Sequence, residues 1–156
     1  MSERMAAAKD ESFVAVKVQL AARWKDMGNA SFKAKEFRRA MAHYEQGLRL
    51  LEVPPSCTYS PDELASVGPV AATLHVNIAA CLLNGATFQN RACVDHCTKA
   101  IQYDPLNVKA RYRRSQAYMK DKEFTLAKQD LADALRMDPS NGTLRACIVI
   151  LVVNTL

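Results

Sequence analysis

Apolar residues recur at three- and four-residue intervals along most of the chain, the spacing of helices that each bury one face. Val14, Val18, Leu20, Ala21, Trp24, Met27 and Gly28 place a first helix from about Ser12 to Ala34. Phe37, Ala40, Met41, Tyr44, Leu48 and Leu51 place a second over about Phe37–Glu52, stopped by Pro54-Pro55. Val53–Tyr59 is a loop. Ser60-Pro61-Asp62-Glu63 then starts a third helix, with Ser60 as cap, Pro61 in the first helical position and Glu63 completing a capping box. Gly68-Pro69 is expected to break and restart that helix, and Asn84-Gly85 to end it. Three more helices follow at about Phe88–Tyr103, Asn107–Lys120 and Phe124–Met137, and a seventh from near Asn141. Met1–Asp10 is polar and alanine-rich, and residues 1–11 are expected to be a flexible N-terminus.

Two of these segments repeat each other. Lys99-Ala100-Ile101-Gln102-Tyr103-Asp104-Pro105-Leu106-Asn107 returns as Asp133-Ala134-Leu135-Arg136-Met137-Asp138-Pro139-Ser140-Asn141, 34 residues later. Helix, turn, helix and Asp-Pro at that period resemble the tetratricopeptide repeat. Trp24, Met27, Gly28, Ala40 and Tyr44 hold the family's positions in the first repeat. Ala79, Ala100 and Pro105 hold them in a looser second, and Tyr118, Phe124, Ala127, Ala134 and Pro139 in the third. The resemblance implies an all-α fold of three stacked helix-turn-helix repeats in a right-handed superhelix, with a C-terminal capping helix. The repeat domain is expected over 12–140, with repeats at about 21–54, 72–107 and 108–141 and the capping helix at 141–156. Gly47 to its counterpart Ala100 spans 53 residues, 19 more than one period. By this register about 17 of them lie between repeats one and two, and two lengthen the Asn84–Phe88 turn. The long connection, with His75-Val76-Asn77-Ile78-Ala79-Ala80-Cys81 and Lys109-Ala110-Arg111-Tyr112-Arg113-Arg114, resembles the tetratricopeptide domains of the large immunophilins.

Chaperone-binding members of that family carry a carboxylate clamp of the pattern Lys-x3-Asn, Asn, Lys-x3-Arg. Lys25, Asn29, Asn77, Lys109 and Arg113 match it in residue type at all five positions. The residues themselves support the match. Side chains four apart share a helical face, and two cations at that spacing repel unless an anion lies between them. Lys25 and Asn29 suit a terminal carboxylate, Asn77 a peptide group, and Lys109 with Arg113 an acidic side chain or second carboxylate. Phe32 and Ala80 are candidates for the groove wall, Phe32 with core packing as an equal alternative. Trp24 reads as core. Arg111 and Arg114 point away from the Lys109–Arg113 stripe and read as surface.

The implied function is a co-chaperone adaptor holding the acidic Glu-Glu-Val-Asp-type C-terminus of heat-shock chaperones. The alternatives are a scaffold for an internal peptide of another partner, or a fragment of a prolyl isomerase. The formal charge of +5 over 156 residues fits an acidic partner and equally a solvated basic surface. Three repeats are too few to read bases one by one, so no nucleic-acid role is expected. No nucleophile-elbow, zincin, dinucleotide or phosphate-loop motif occurs, so no enzyme and no cofactor are expected. The five cysteines (Cys57, Cys81, Cys93, Cys97, Cys147) form no Cys-x-x-Cys pair and no secretory leader is evident, so reduced thiols in the cytoplasm are expected. Cys93, His96 and Cys97 share a helical face, but core packing is favoured over metal binding. The longest apolar run, Ala146–Val153, is short of the roughly 18–20 residues of a membrane span, and no membrane association is expected. That run is apolar all round, unlike a capping helix. Either the chain is truncated there or the tail packs on another element or on a second copy.

Overall fold

The computed structural model describes residues 2–86 and 89–155, with side chains from Phe13 onward. Among the described residues there are seven helices and no strand: α1 (Ser2–Lys33), α2 (Phe37–Leu51), α3 (Pro61–Asn84), α4 (Asn90–Tyr103), α5 (Val108–Lys120), α6 (Phe124–Met137) and α7 (Gly142–Asn154). The all-α class expected from the repeats is the one observed. The first helix begins ten residues earlier than its apolar pattern, at Ser2 rather than Ser12. Phe88, the expected start of the fourth helix, lies outside the described residues. Contacts divide the chain into Met1–Leu74 and His75–Leu156, with the division inside α3.

In the first unit α1 and α2 run antiparallel. Phe32 meets Phe37 across the turn, Ser31 and Trp24 meet His43, and Gly47 approaches the Ala21 carbonyl further along. The turn closes through Lys35, whose φ is 59°. The amides of Lys35 and Glu36 each bond back to α1, at 2.9 Å from the Phe32 and Ser31 carbonyls. Small residues set the separation of the two helices. A Cβ on Gly28 would lie 2.3 Å from Cε1 of Tyr44, whose side chain is itself buried. Trp24 is half-buried beside His43, as expected of a packing residue. Met27, by contrast, is 48% exposed although it holds a family position. Tyr59 donates its hydroxyl to the Leu51 carbonyl at 2.6 Å and so satisfies the end of α2.

The capping box at the start of α3 is formed as read. The Ser60 amide donates to Glu63 Oε2 at 2.7 Å, and the Glu63 amide to Ser60 Oγ at 3.3 Å. The expected break at Gly68-Pro69 does not occur; α3 is one helix through Pro69. Pro69 and Ala65, whose carbonyl loses its amide partner, both lie on the exposed side, while Val67, Gly68, Ala71, Ala72 and Leu74 are buried. Burial on one face outweighs a lost hydrogen bond on the other. Among the described residues α3 is the helix long and apolar enough to cross a bilayer, although its apolar residues form no uninterrupted run. Of its most apolar window 67% is buried in the protein, as in a core helix.

In the second unit α3 and α4 run antiparallel, with His75 against His96 and Cys93 Sγ 3.8 Å from the Ala79 carbonyl. Helix α5 pairs with α6, and α7 covers α6. Ala127, Leu131, Ala134, Leu144 and Leu151 form the buried cluster there. The repeated Asp-Pro-x-Asn has a structural cause. Asn107 and Asn141 accept at Oδ1 from the amides of Ala110 and Leu144, capping α5 and α7. Asp104 and Asp138 in turn accept from the Nδ2 of those asparagines at 3.1 and 3.0 Å. The apolar tail is two-sided. Leu144 and Leu151 are buried, whereas Val149, Ile150 and Val153 are 58–64% exposed.

Cys93 and Cys97 are fully buried, and His96 turns toward His75, so the thiols and the imidazole of that face do not converge. Among the described residues no group of three or more potential ligands is gathered for a metal ion. His75 is 7% exposed, its Nδ1 lies 2.8 Å from Nδ1 of His96, and its ring stacks on Tyr103. One ring donates and the other accepts, so the accepting ring is neutral. Burial, then the neighbouring His96 and Lys99, lowers the pKa of His75 from 6.5 to about 4. Burial and Lys99, opposed by Asp95, lower that of His96.

Two predictions follow from this packing. Gly28→Ala is expected to destabilise the fold by about 1–3 kcal/mol in urea unfolding, because overpacking against Tyr44 outweighs the helix propensity gained. The histidine pair makes stability depend on pH. The unfolded chain takes up the His75 proton near pH 6.5 and the native chain only near 4. The contribution of neutral His75 is therefore complete above pH 6.5 and is lost as pH falls toward 4, by about 1.4 kcal/mol per unit. Urea midpoints measured from pH 7.5 to 4.5 should fall, and His75→Gln should flatten the slope.

Candidate functional site

In the first unit Lys25 and Asn29 lie one turn apart on α1, and both are half-buried. Tyr44 of α2 donates its hydroxyl to Oδ1 of Asn29 at 2.8 Å. That bond fixes the orientation of the amide, with its carbonyl toward α2 and its NH2 end turned the other way. Lys25 Nζ is 3.8 Å from Asp26 Oδ1, and with Asp26 exposed the pair has little energetic weight.

In the second unit Lys109 and Arg113 lie one turn apart on α5. Lys109 is exposed. Arg113 is half-buried, and its Nη1 donates to the Val76 carbonyl at 2.6 Å. The next residue on α3 is Asn77, also half-buried. Arg113 is therefore brought to the backbone beside the third expected clamp residue.

Arg111 and Arg114 are not the surface residues expected from the sequence. Arg114 donates through Nε and Nη2 to the two carboxylate oxygens of Asp130, both at 2.7 Å, and through Nη1 to Thr98 Oγ1 at 3.0 Å. Asp130 is 3% exposed. Arg111 Nη1 lies 3.5 Å from Asp133 and 3.7 Å from Asp130. Asp130 raises the pKa of Arg114 further, first through the hydrogen bonds and then, against burial, through its charge. At about 100° per residue, Lys109 and Arg113 point about 150° away from Arg111 and Arg114. The direction was legible, but its destination, the carboxylates of α6, was not.

Phe32 is half-buried edge-on to Phe37 with ring centroids 5.2 Å apart. Ala80 is buried at 5% exposure. Sequence reasoning missed the groups that hold the candidate residues in place: Tyr44 for Asn29, the Val76 carbonyl for Arg113, and Asp130 and Thr98 for the back of α5. The signal available was an acidic residue on the buried side of α6, which an amphipathic helix does not place there without a cation to meet it.

These are the features of a helical-repeat domain. The chain is a tetratricopeptide-repeat domain, and its residues 108–141 match the family described as Tetratricopeptide repeat. Over 117 residues, 75% of this chain, it is 32% identical to the peptidyl-prolyl cis-trans isomerase FKBP4 of Mus musculus, aligning with the tetratricopeptide part of that protein. The chain spans about a quarter of the length of that relative (25%). Among solved structures it superposes on the C-terminal tetratricopeptide domain of a Plasmodium falciparum FK506-binding protein with a TM-score of 0.77. The identity there is 26%, covering 89% of this chain and 90% of that one. It also superposes on the second tetratricopeptide domain of Spaghetti (RPAP3), bound to the HSP90 peptide SRMEEVD, with a TM-score of 0.70. Identity is 27%, over 86% of this chain and 99% of that one.

Tyr44→Phe tests the support of Asn29. Loss of that one hydrogen bond is expected to cost about 0.5–1.5 kcal/mol in urea unfolding. The Asn29 side-chain NH2 resonances should shift while the rest of the amide spectrum is retained.

Proposed function

We propose that this domain is a non-catalytic adaptor that holds the acidic C-terminal tail of heat-shock chaperones, of the Glu-Glu-Val-Asp type. Lys25 and Asn29 take the terminal carboxylate. Asn77 serves a peptide group, and Lys109 and Arg113 take an acidic side chain. The observation that carries this reading is the division of charge on α5. Asp130 and Asp133 meet the cations at its back, while Lys109 and Arg113 stand on the opposite side, Arg113 beside Asn77. A pair of cations at that spacing is favourable around an anion. The peptide held by the Spaghetti domain has the same acidic C-terminal chemistry.

A charged hydrogen bond nets about 1.5–3 kcal/mol, and a micromolar complex needs about 8 kcal/mol in all. A few such bonds, less the cost of ordering the peptide, give micromolar affinity. Five free thiols suit a reducing cytoplasm. No prolyl isomerase activity is expected of these residues, because they align with the tetratricopeptide part of the isomerase relative.

Calorimetry with a peptide ending in Met-Glu-Glu-Val-Asp tests the proposal. Lys109→Ala and Arg113→Ala should each weaken binding by about 1–3 kcal/mol. Raising salt from low to physiological should weaken it further, since exposed charges are screened. Amidating the peptide terminus should remove most of the contribution of Lys25 and Asn29. An amidated peptide that binds as tightly as the free acid would overturn the clamp and leave a scaffold for internal peptides.

A further inference from the structure

The fully buried side chains of α5 are small, Ala110, Ser115 and Ala117, while Val108, Tyr112, Tyr118 and Met119 pack partly buried against the α6–α7 cluster. Small residues give close approach, and the apolar contacts beside them are non-directional, so they set no sharp angle about the helix axis. Rotation matters at the opposite face. At the roughly 5–6 Å radius of a helix with its side chains, a turn of about 20° moves a side-chain tip by about 2 Å. That is more than a hydrogen bond tolerates.

One interaction on α5 has the directionality to set the angle. Three nitrogens of the Arg114 guanidinium are placed: Nε and Nη2 on Asp130 of α6, and Nη1 on Thr98 of α4. Thr98 is fixed in turn by its own bond to the Val94 carbonyl at 2.8 Å. The planar fork meets the carboxylate in one orientation, and a lysine in its place could not do so. Arg111 adds longer contacts to the same acidic pair. Buried ion pairs of this type add little net stability compared with apolar packing, and fixing an arrangement is their better-attested use.

We infer that Asp130, through its bidentate pairing with Arg114, is a positioning residue that sets the rotation of α5 and so aims Lys109 and Arg113. The inference rests on the peptide-binding reading for its functional consequence, but not for its structural one. Asp130 touches neither cation. It acts from the back of the helix, and the contact of Arg113 with the Val76 carbonyl is the outcome it secures.

Two variants and two readouts test this. Arg114→Lys keeps the charge and loses the fork; Asp130→Asn keeps the shape and loses the charge. Both are compared with wild type at low temperature, where circular dichroism and the amide spectrum verify that they are folded. Each should weaken the Met-Glu-Glu-Val-Asp peptide roughly 3- to 10-fold, and each should matter less in an Arg113→Ala background, where only Lys109 is left to aim. The guanidinium proton resonances of Arg113, held in wild type by the Val76 carbonyl, should broaden or shift in both variants without peptide. Equal losses in the Arg113→Ala background, or unchanged Arg113 resonances in folded variants, would overturn the inference. If wild type binds no peptide, the binding reading falls alone, and the Arg113 resonances decide the positioning claim by themselves.

Discussion

The closeness of paired helices governs everything else in this chain. Gly28 faces the Tyr44 ring at a distance that admits no Cβ, and Gly47 sits against Leu74 and the Ala21 carbonyl. Ala40, Ala100, Ala110, Ala127 and Ala134 are wholly buried. Helices held this close bury little area per residue on the small side chains themselves. The larger residues beside them, Tyr44, Leu74, Ile78, Leu131 and Leu144, fill the space that remains. The polar display on α1 and α5 inherits its accuracy from these contacts. Tyr44 is at once the ring that demands Gly28 and the hydroxyl that orients Asn29.

Much of this was legible in the residues because the signals were local. The capping box at Ser60–Glu63 and the starts of α5 and α7 each depend on a few neighbouring side chains that hydrogen-bond to nearby amides. Pro69 misled because its cost is local while the compensation is not. Val67, Ala71 and Leu74 hold the helix together by burying the face that proline leaves intact. Met27 and Phe124 kept the family pattern in type but not in burial, at 48% and 38% exposure. A motif position states which residue is accepted there, not how much of it is covered.

The site divides the same way. Spacing alone placed Lys25 with Asn29 and Lys109 with Arg113, since four residues make one turn. Spacing could not show that Arg114 ends on Asp130, sixteen residues away on another helix. Arginine on a helix is usually solvated, and only the folded chain reveals a carboxylate waiting on the covered side of α6. The groups that support the candidate site, Tyr44, Asp130, Thr98 and the Val76 carbonyl, come from different elements. The residues they support could be named from one helix at a time.

The paired Asp and Asn at 104/107 and 138/141 join the end of one helix pair to the cap of the next helix. Such a junction is a fixed-length coupling, because the aspartate must reach the asparagine that caps the helix start. A residue added or removed there would uncouple the cap from the repeat before it. Between α2 and α3 the chain uses a different device, with Tyr59 closing α2 and the Ser60–Glu63 box opening α3 independently. The two ends are served separately, so the loop between them is free to vary in length. Most of the residues that break the 34-residue period are taken up by this loop and by the length of α3, 24 residues against 13 in α5. In a lineage of such domains, insertions should accumulate there, while the Asp-Pro-x-Asn junctions keep their count.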